Sequence, residues 1–563
     1  MVFAVLGLVG IALFIHRKTK MDFLYCPMLS ACLLVTISTL AGIVGILEPC
    51  RLVCVVAGCI LLCYSLLMKR DFRFIPSALL LVAFLLYALW RLDGCVASLY
   101  DDASHWASMA RFLLLNQELP TKQAELITFT SYPPGAAMFI YYMCGGRFLA
   151  EDLMYTAQLL FVLVGVMPLF APVQGKSSVT HKLIALLITA CLLISNVSMQ
   201  QLSVDTLLAT LTLGGIVLQM RSNTSAMTKT ISTVIVGATL ITIKASGIFF
   251  AVVLYGYYWW TLRRTSNTIR LGNLVPLLVF TAIYLIWQNY VSSNFGTVSK
   301  HAVDFSSYMH SFVEKWNSGT IWKCIKATIK ALINPYELYN HALVLLLLGT
   351  GCVYWCTHDN NLKIQAKHFL FQLVALWMLW QICVFMFMYV FSASDEESVY
   401  LSGHVRYFLT MIQLMAGLYG AFLQENLTER FSYRHFGAVT VVICLLLPFA
   451  NSISSLVVPS PPTWMRIALD RHVQNSNFDD KQGVVLYTDE YTWISDYGEY
   501  IGRYVLAEAD GSVPRITCVA NRNYREVLPE LMKEYEYLLF MLDDTEAYEY
   551  AEQLIGERAI ALP

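Results

Sequence analysis

Charge is scarce in this chain. Lys, Arg, Asp and Glu make up 14% of its 563 residues, against 57% hydrophobic. A soluble protein carries roughly 25% charged residues, so an ordinary soluble fold is excluded. The formal net charge is −1, which offers no basic surface to nucleic acid. No Gly-rich phosphate loop accompanies the strand-like segments, so no nucleotide is assigned. The 15 cysteines lie mostly inside apolar runs and read as small packing residues, not a disulfide framework. Cys50, Cys54, Cys59 and Cys63 fall near helical spacing, where a small-residue helix contact is favoured over a metal. No basic residue precedes the apolar run Met1–Ile15, whereas His16, Arg17, Lys18 and Lys20 follow it. That order is the reverse of a cleaved signal and implies a retained helix with its N-terminus outside.

What the chain has instead is a series of apolar runs of the ~20 residues that cross ~30 Å of hydrocarbon. It is read as a polytopic protein of the cell (plasma) membrane. Basic loops mark the cytoplasmic side: His16–Lys20, Lys69–Arg73, Lys176–Lys182, Arg221–Lys229, Arg263–Arg270, Lys363–Lys367 and Arg430–His435. Spans near 25–47, 51–67, 74–91, 152–172, 182–198, 206–220, 272–290, 341–357, 368–391, 405–424 and 436–457 satisfy that rule. The run 133–148 follows Pro133-Pro134 and is broken by Gly145-Gly146-Arg147, so it is expected to be re-entrant or surface-lying. Thr230–Trp260 is too long for one span and lies between two cytoplasmic loops. Two helices meeting at Lys244-Ala-Ser-Gly247 would return the chain, with Lys244 at the outer tip. About fourteen spans result.

Three parts follow: extra N-terminal helices (1–73), a membrane core (74–457) with outer loops 92–150 and 291–340, and a charged tail (458–563). In the tail, Gly483–Tyr487, Arg515–Val519 and Tyr537–Met541 read as short buried strands, with helices near 491–506, 522–534 and 545–556. The alternation suggests a small extracytoplasmic α/β domain with a parallel sheet.

This topology gathers Asp101, Asp102, His105, Asp205, Lys244, His404 and Arg406 on the outer face. Ionisable groups at the membrane boundary are costly, so function is the default reading. A carboxylate can take a proton from an acceptor hydroxyl. Lysine and arginine can hold a phosphate, arginine through a planar fork. A base beside a phosphate-binding pair suits transfer from a lipid-linked phosphate donor, with phosphate as leaving group.

The stretch Tyr100-Asp101-Asp102, the Met109-Ala110-Arg111 helix and Tyr132-Pro133-Pro134 resemble the GT-C class of membrane glycosyltransferases. That class includes the protein O-mannosyltransferases and the lipid A aminoarabinose transferases. Ser203-Val-Asp205, Ile243-Lys244-Ala-Ser-Gly247 and His404-Val-Arg406-Tyr407 resemble, in order, its second outer acid, its Lys-x-x-Gly hairpin and its late Arg-Tyr. The resemblance covers about residues 74–457. It departs where Asp101-Asp102 replaces the usual Asp-Glu, and where His105-Trp106 stands in place of tyrosines. It implies a mostly α, polytopic membrane bundle of GT-C type with an extracytoplasmic α/β domain at its C-terminus. It also implies an inverting glycosyltransferase, taking a sugar from a polyprenyl-phosphate donor to an envelope glycan, glycolipid or protein. In that scheme Asp101 is the base, with Asp102 and His105 beside it. Lys244 and Arg406 hold the donor phosphate. Asp102, Asp205 or His404 would orient the acceptor or bind a divalent cation such as Mg or Mn.

Blander readings stand beside these. Asp101, Asp102 and Asp205 are also helix-capping residues. Lys244 could snorkel to headgroups, and Arg406 could pair with Asp395, Glu396 or Glu397. Trp106 and Tyr132 are more often interfacial anchors than sugar platforms. The rival functions are a transporter or flippase of lipid-linked glycans, and a ligase or polymerase using a diphosphate donor. The first would place charges near the bilayer midplane. The second would favour more outer arginines than Arg91 and Arg406.

Overall fold

The computed structural model describes residues 1–68, 74–145, 150–173, 179–195, 199–265, 271–295, 305–426, 447–475, 483–508 and 512–562. The basic loops at 69–73 and 430–435, parts of those at 176–182 and 263–270, the Gly146-Arg147 break and the start of the 436–457 span lie outside these residues. The described part of that last span, Leu447–Leu456, is wound as 3-10 helix.

The apolar runs form helices α1 (Val2–Thr19), α2 (Cys26–Ile43), α3 (Leu47–Met68), α4 (Ile75–Leu92), α5 (Ala107–Asn116), α6 (Gly135–Cys144), α7 (Glu151–Val166), α8 (Val179–Ile194) and α9 (Asp205–Arg221). They continue through α10 (Ala226–Ile243), α11 (Gly247–Thr265), α12 (Val275–Phe295), α13 (Phe305–Asn317), α14 (Thr320–Ile333), α15 (Leu338–Cys356), α16 (Asn360–Trp380), α17 (Asp395–Tyr400) and α18 (His404–Asn426). Among the described residues, ten helical segments are long and apolar enough to cross a membrane. Helices α8, α9 and α11, with 16, 17 and 19 residues, occupy three more of the expected crossings. The protein is therefore mostly helical and multi-pass, as the composition requires.

Helix α6 has only 10 residues. At 1.5 Å per residue it is roughly 15 Å long, half a bilayer. It is buried from Gly135 to Met143 and packs on α2, α5, α7 and α10. Gly135 permits the last contact, since a Cβ there would lie 2.6 Å from the Thr242 carbonyl oxygen. The hairpin expected within 230–260 is present as α10 and α11. Lys244 ends α10 in extended conformation (φ −159°, ψ 154°). Gly247 restarts the chain hard against the Leu240 carbonyl, where a Cβ would clash. The run from Asn360 continues through two π-helical stretches, Gln381–Met386 and Met388–Ser392. Its 33 residues span about 50 Å, more than a ~30 Å hydrocarbon core needs. Helix α3 packs along α1, with Gly58 against Gly7 and the Cys59 Sγ 3.6 Å from the Phe3 carbonyl oxygen.

The outer loop expected at 291–340 holds helices α13 and α14. Their amphipathic pattern was the available signal. Buried Lys315 fixes them to the chain, donating to the carbonyls of Tyr389 (2.8 Å) and Ala393 (2.5 Å) and to Ser398 Oγ (3.1 Å).

The C-terminal unit is a parallel sheet of strands β1 (Val484–Thr488), β2 (Ile516–Ala520), β3 (Tyr537–Phe540) and β4 (Ala559–Ile560), in the order β2-β1-β3-β4. The three longer strands match the sequence reading; the two-residue β4 was too short to carry a pattern. Their continuous apolar runs follow from burial on both faces. One face is covered by helices Tyr524–Leu531 and Thr545–Ile555 around Val485, Tyr487 and Phe540. The other meets Trp464–Asn475 and Tyr497–Leu506, and there its core is continuous with that of the membrane bundle.

Candidate functional site

A cavity of about 500 Å³ opens where the α4–α5 connection, the α10–α11 turn, the π-helical end beyond α16 and the head of α18 converge. Asp101, His105, Lys244 and Arg406 all line it, with Tyr132, Tyr389 and Tyr407. These residues come from five separated segments.

The charges form a chain. Lys244 Nζ donates to Asp205 Oδ1 at 2.9 Å. Arg406 Nε lies 3.2 Å from Asp205 Oδ2, and its Nη1 pairs with Asp101 Oδ2. Gln201 Nε2 lies 3.4 Å from the same Asp101 oxygen. The Tyr407 ring lies under both cations, 5.0 Å from Lys244 Nζ and 5.4 Å from the Arg406 guanidinium. Two carboxylates thus hold two cations at the rim of an open space. Lys244 carries three N–H donors, and among the described residues Asp205 is its one hydrogen-bond acceptor.

Asp205, expected to orient an acceptor or bind a cation, lies beneath the cavity wall, 4% exposed. Lys244 and Arg406 occupy one oxygen each, which makes it their organiser. Arg406 does not pair with the 395–397 acids. Asp395 accepts from Thr320 Oγ1 at 3.0 Å, and Glu397 closes a capping box with Ser394 at the start of α17.

Asp102 lies apart from Asp101. It opens a π-helical stretch, Asp102–Trp106, and is fully buried. Tyr155 donates to its Oδ2 at 2.7 Å and the Leu202 N–H to its Oδ1 at 2.9 Å. Burial pushes its carboxyl up to about 7, against the lowering effect of those two hydrogen bonds. Asp101, the residue before that stretch, lines the cavity, whereas Asp102 faces the protein interior. His404 is also absent from the cavity lining. Its Nδ1 meets the Leu401 carbonyl at 2.9 Å, and its ring lies between Tyr339 and Phe408.

These placements bear on a divalent cation. Among the described residues no group of three His, Cys, Asp or Glu side chains is disposed to hold a metal. Asp102 is turned inward, His404 is turned aside, and Asp205 is already flanked by two cations that would repel a third. The residues present do not fit a cation at this site.

His105 was expected beside the base. It lines the cavity but is 4% exposed, in a cage of Trp106, Phe129 and Tyr132 with ring centroids 4.2, 5.8 and 4.5 Å away. Neither ring nitrogen has a hydrogen-bond partner among the described residues.

The sequence reading missed the seat of the C-terminal unit. Helix Tyr497–Leu506 packs on the π-helical stretch 102–106. Tyr497 Oη donates to the Ser98 carbonyl, which Thr463 Oγ1 also reaches at 3.1 Å. Arg466 donates to the Ala97 carbonyl at 2.6 Å and pairs with Glu151 (3.0 Å) and Asp470 (2.9 Å). Arg111 donates to the Ala507 carbonyl at 2.6 Å. Arg91, the other outer arginine of the sequence reading, is buried on the carbonyls of Ser455 (2.6 Å) and Val458 (3.0 Å). The segment that carries Asp101 is therefore clamped between membrane bundle and α/β unit.

Comparison with solved structures finds similarity to ArnT from Cupriavidus metallidurans bound to undecaprenyl phosphate, at a TM-score of 0.42 and 14% sequence identity, over 81% of this chain and 95% of that one. ArnT from the same organism in the apo state aligns over the same shares at 14% identity and a TM-score of 0.37. No family model and no curated protein matches the chain.

Proposed function

We propose that the protein is a membrane glycosyltransferase that moves a hexosyl or pentosyl unit from a polyprenyl-phosphate donor to an acceptor hydroxyl on the extracytoplasmic side. The acceptor is an envelope glycan, glycolipid or protein. The observation that carries this reading is the open cavity where Asp101, Lys244 and Arg406 meet.

The donor phosphodiester carries one negative charge and its leaving phosphate about two. Lys244 and Arg406 balance Asp101 and Asp205, so the cluster is formally neutral, and one phosphate fits it by taking the place of Asp101 at Arg406 and using the remaining Lys244 donors. A diphosphate donor would call for more cations than the two that line the cavity, which disfavours the ligase reading. A transporter would keep its charges near mid-membrane, whereas Lys244 and Arg406 sit at helix ends.

Phosphate arriving at Arg406 competes with Asp101 for the guanidinium and releases the carboxylate. The freed Asp101 takes the proton of the acceptor hydroxyl. The acceptor oxygen bonds to the anomeric carbon as the carbon–oxygen bond to phosphate breaks. The anomeric centre inverts, and polyprenyl phosphate leaves with its charge held by the two cations. Asp205 and Tyr407 keep those cations in place throughout.

The test is turnover of a labelled polyprenyl-phosphate sugar by purified protein supplied with envelope fractions. Consumption by the wild type and its loss in Asp101→Asn, with donor binding retained, is the expected result. If the wild type consumes no such donor with any fraction, the reading fails.

A further inference from the structure

Within the glycosyltransferase reading above, one buried group has no task. We infer that His105, with the aromatic wall of Trp106, Phe129 and Tyr132, is the subsite that grips the sugar ring of the donor through its hydroxyls.

A histidine packed into a core ordinarily satisfies its ring nitrogens, because a buried unpaired polar group costs about 1–3 kcal/mol. His105 is 4% exposed and has both nitrogens unpartnered among the described residues. It nevertheless forms part of the cavity wall, so a cavity occupant can reach it. The imidazole stands edge-on to its three aromatic neighbours, at interplanar angles of 68° to 88°. Trp106 and Tyr132 lie nearly parallel to each other, at 13°. Such a wall offers π faces to the apolar C–H face of a sugar.

The ring is neutral: burial, and after it the charge of Lys244, push its pKa down to about 3. A neutral imidazole supplies one N–H donor and one acceptor, which complements a hydroxyl and suits no anion. His105 lines the same cavity as Lys244, the cation assigned to the phosphate. A sugar bonded directly to that phosphate is the ring that must lie there, which favours the donor sugar over the acceptor.

The experiment separates lipid phosphate from sugar. Calorimetry on purified protein in nanodiscs would use farnesyl phosphate and farnesyl-phosphoryl glucose, mannose and arabinose as probes. The wild type should bind at least one sugar-bearing probe about tenfold more tightly than farnesyl phosphate, the equivalent of one or two good hydrogen bonds. His105→Phe should erase that gain and leave farnesyl phosphate affinity within twofold. His105→Gln, which restores a donor and an acceptor, should recover most of it. The inference is overturned if no sugar adds affinity in the wild type. It is equally overturned if His105→Phe leaves the gain intact, or weakens both classes of probe alike. The phosphate reading is judged apart from this: if Lys244→Met and Arg406→Gln leave farnesyl phosphate binding unchanged, that reading falls instead.

Discussion

Two arginines contrast a charge cluster enclosed at a domain junction with one that borders a cavity. Arg466, at the junction of the α/β unit and the bundle, donates to Asp470, Glu151 and the Ala97 carbonyl. Arg406, at the head of α18, touches Asp101 and Asp205 but faces a cavity. Both are largely buried beside two carboxylates. The first site spends the Arg466 donors on protein partners at the domain junction and does not line that cavity. The second keeps donor capacity turned toward open space. Burial and ion pairing by themselves therefore do not distinguish the two sites; hydrogen-bonding valence facing a cavity does.

Five single variants and one double variant probe that contrast, ranked by their effect on turnover. Asp101→Asn should cut turnover by about 10³-fold, within the range for removing a general base, while the donor dissociation constant moves little; single-turnover assays with labelled donor would show it. Retention of more than about a tenth of wild-type turnover would remove Asp101 from the chemistry. Arg406→Gln and Lys244→Met should each weaken polyprenyl-phosphate binding by about 10–100-fold. Unchanged affinity would place Arg406 in the same structural class as Arg466.

Arg466→Met should act the other way round. It leaves Glu151 buried without its partner, at a cost of about 3–5 kcal/mol, read as a lower Tm. Turnover should fall only several-fold, through a loosened Asp101 segment. The double variant Arg466→Met/Glu151→Gln should regain part of the Tm, and a double variant no more stable than the single would show that the pair is not coupled.

Asp102→Asn should change turnover least. Its oxygen can still accept from Leu202 N–H, and its amide can donate to the Tyr155 hydroxyl. The wild-type carboxyl, near 7 in the fold and about 3.9 unfolded, favours the protonated folded state. Its stabilising contribution is full below about pH 4 and is lost as pH rises through about 7. The Tm of the wild type should therefore decline from pH 5 to 7.5 more than that of Asp102→Asn. Parallel Tm profiles would contradict the burial-raised carboxyl.

The legible parts of the chain were those written in long, local patterns. The α10–α11 hairpin followed from an apolar run too long for one span and too short for two ordinary ones. The three longer strands followed from continuous apolar stretches between charged helices. Lys244 and Arg406 were found because a charge at the end of an apolar helix is conspicuous. What escaped had no such signature. β4 is two residues long, and α13 and α14 are short amphipathic helices inside an outer loop, without the long apolar run that marks a span. The opposite fates of Asp101 and Asp102 depend on partners far along the chain, Arg406 for the first and Tyr155 and Leu202 for the second, which sequence spacing does not reveal.

The sequence by itself decided that this chain lives in a membrane, because a chain so short of charge cannot solvate itself. It also decided that scattered charges would be left at helix ends, since hydrocarbon excludes them. Tertiary structure alone decided which of those charges meet. Lys244 and Arg406 are drawn to one buried aspartate because a lone charge there would be far costlier than a shared one. Asp102 and His404 found nearer partners and turned away from the cavity.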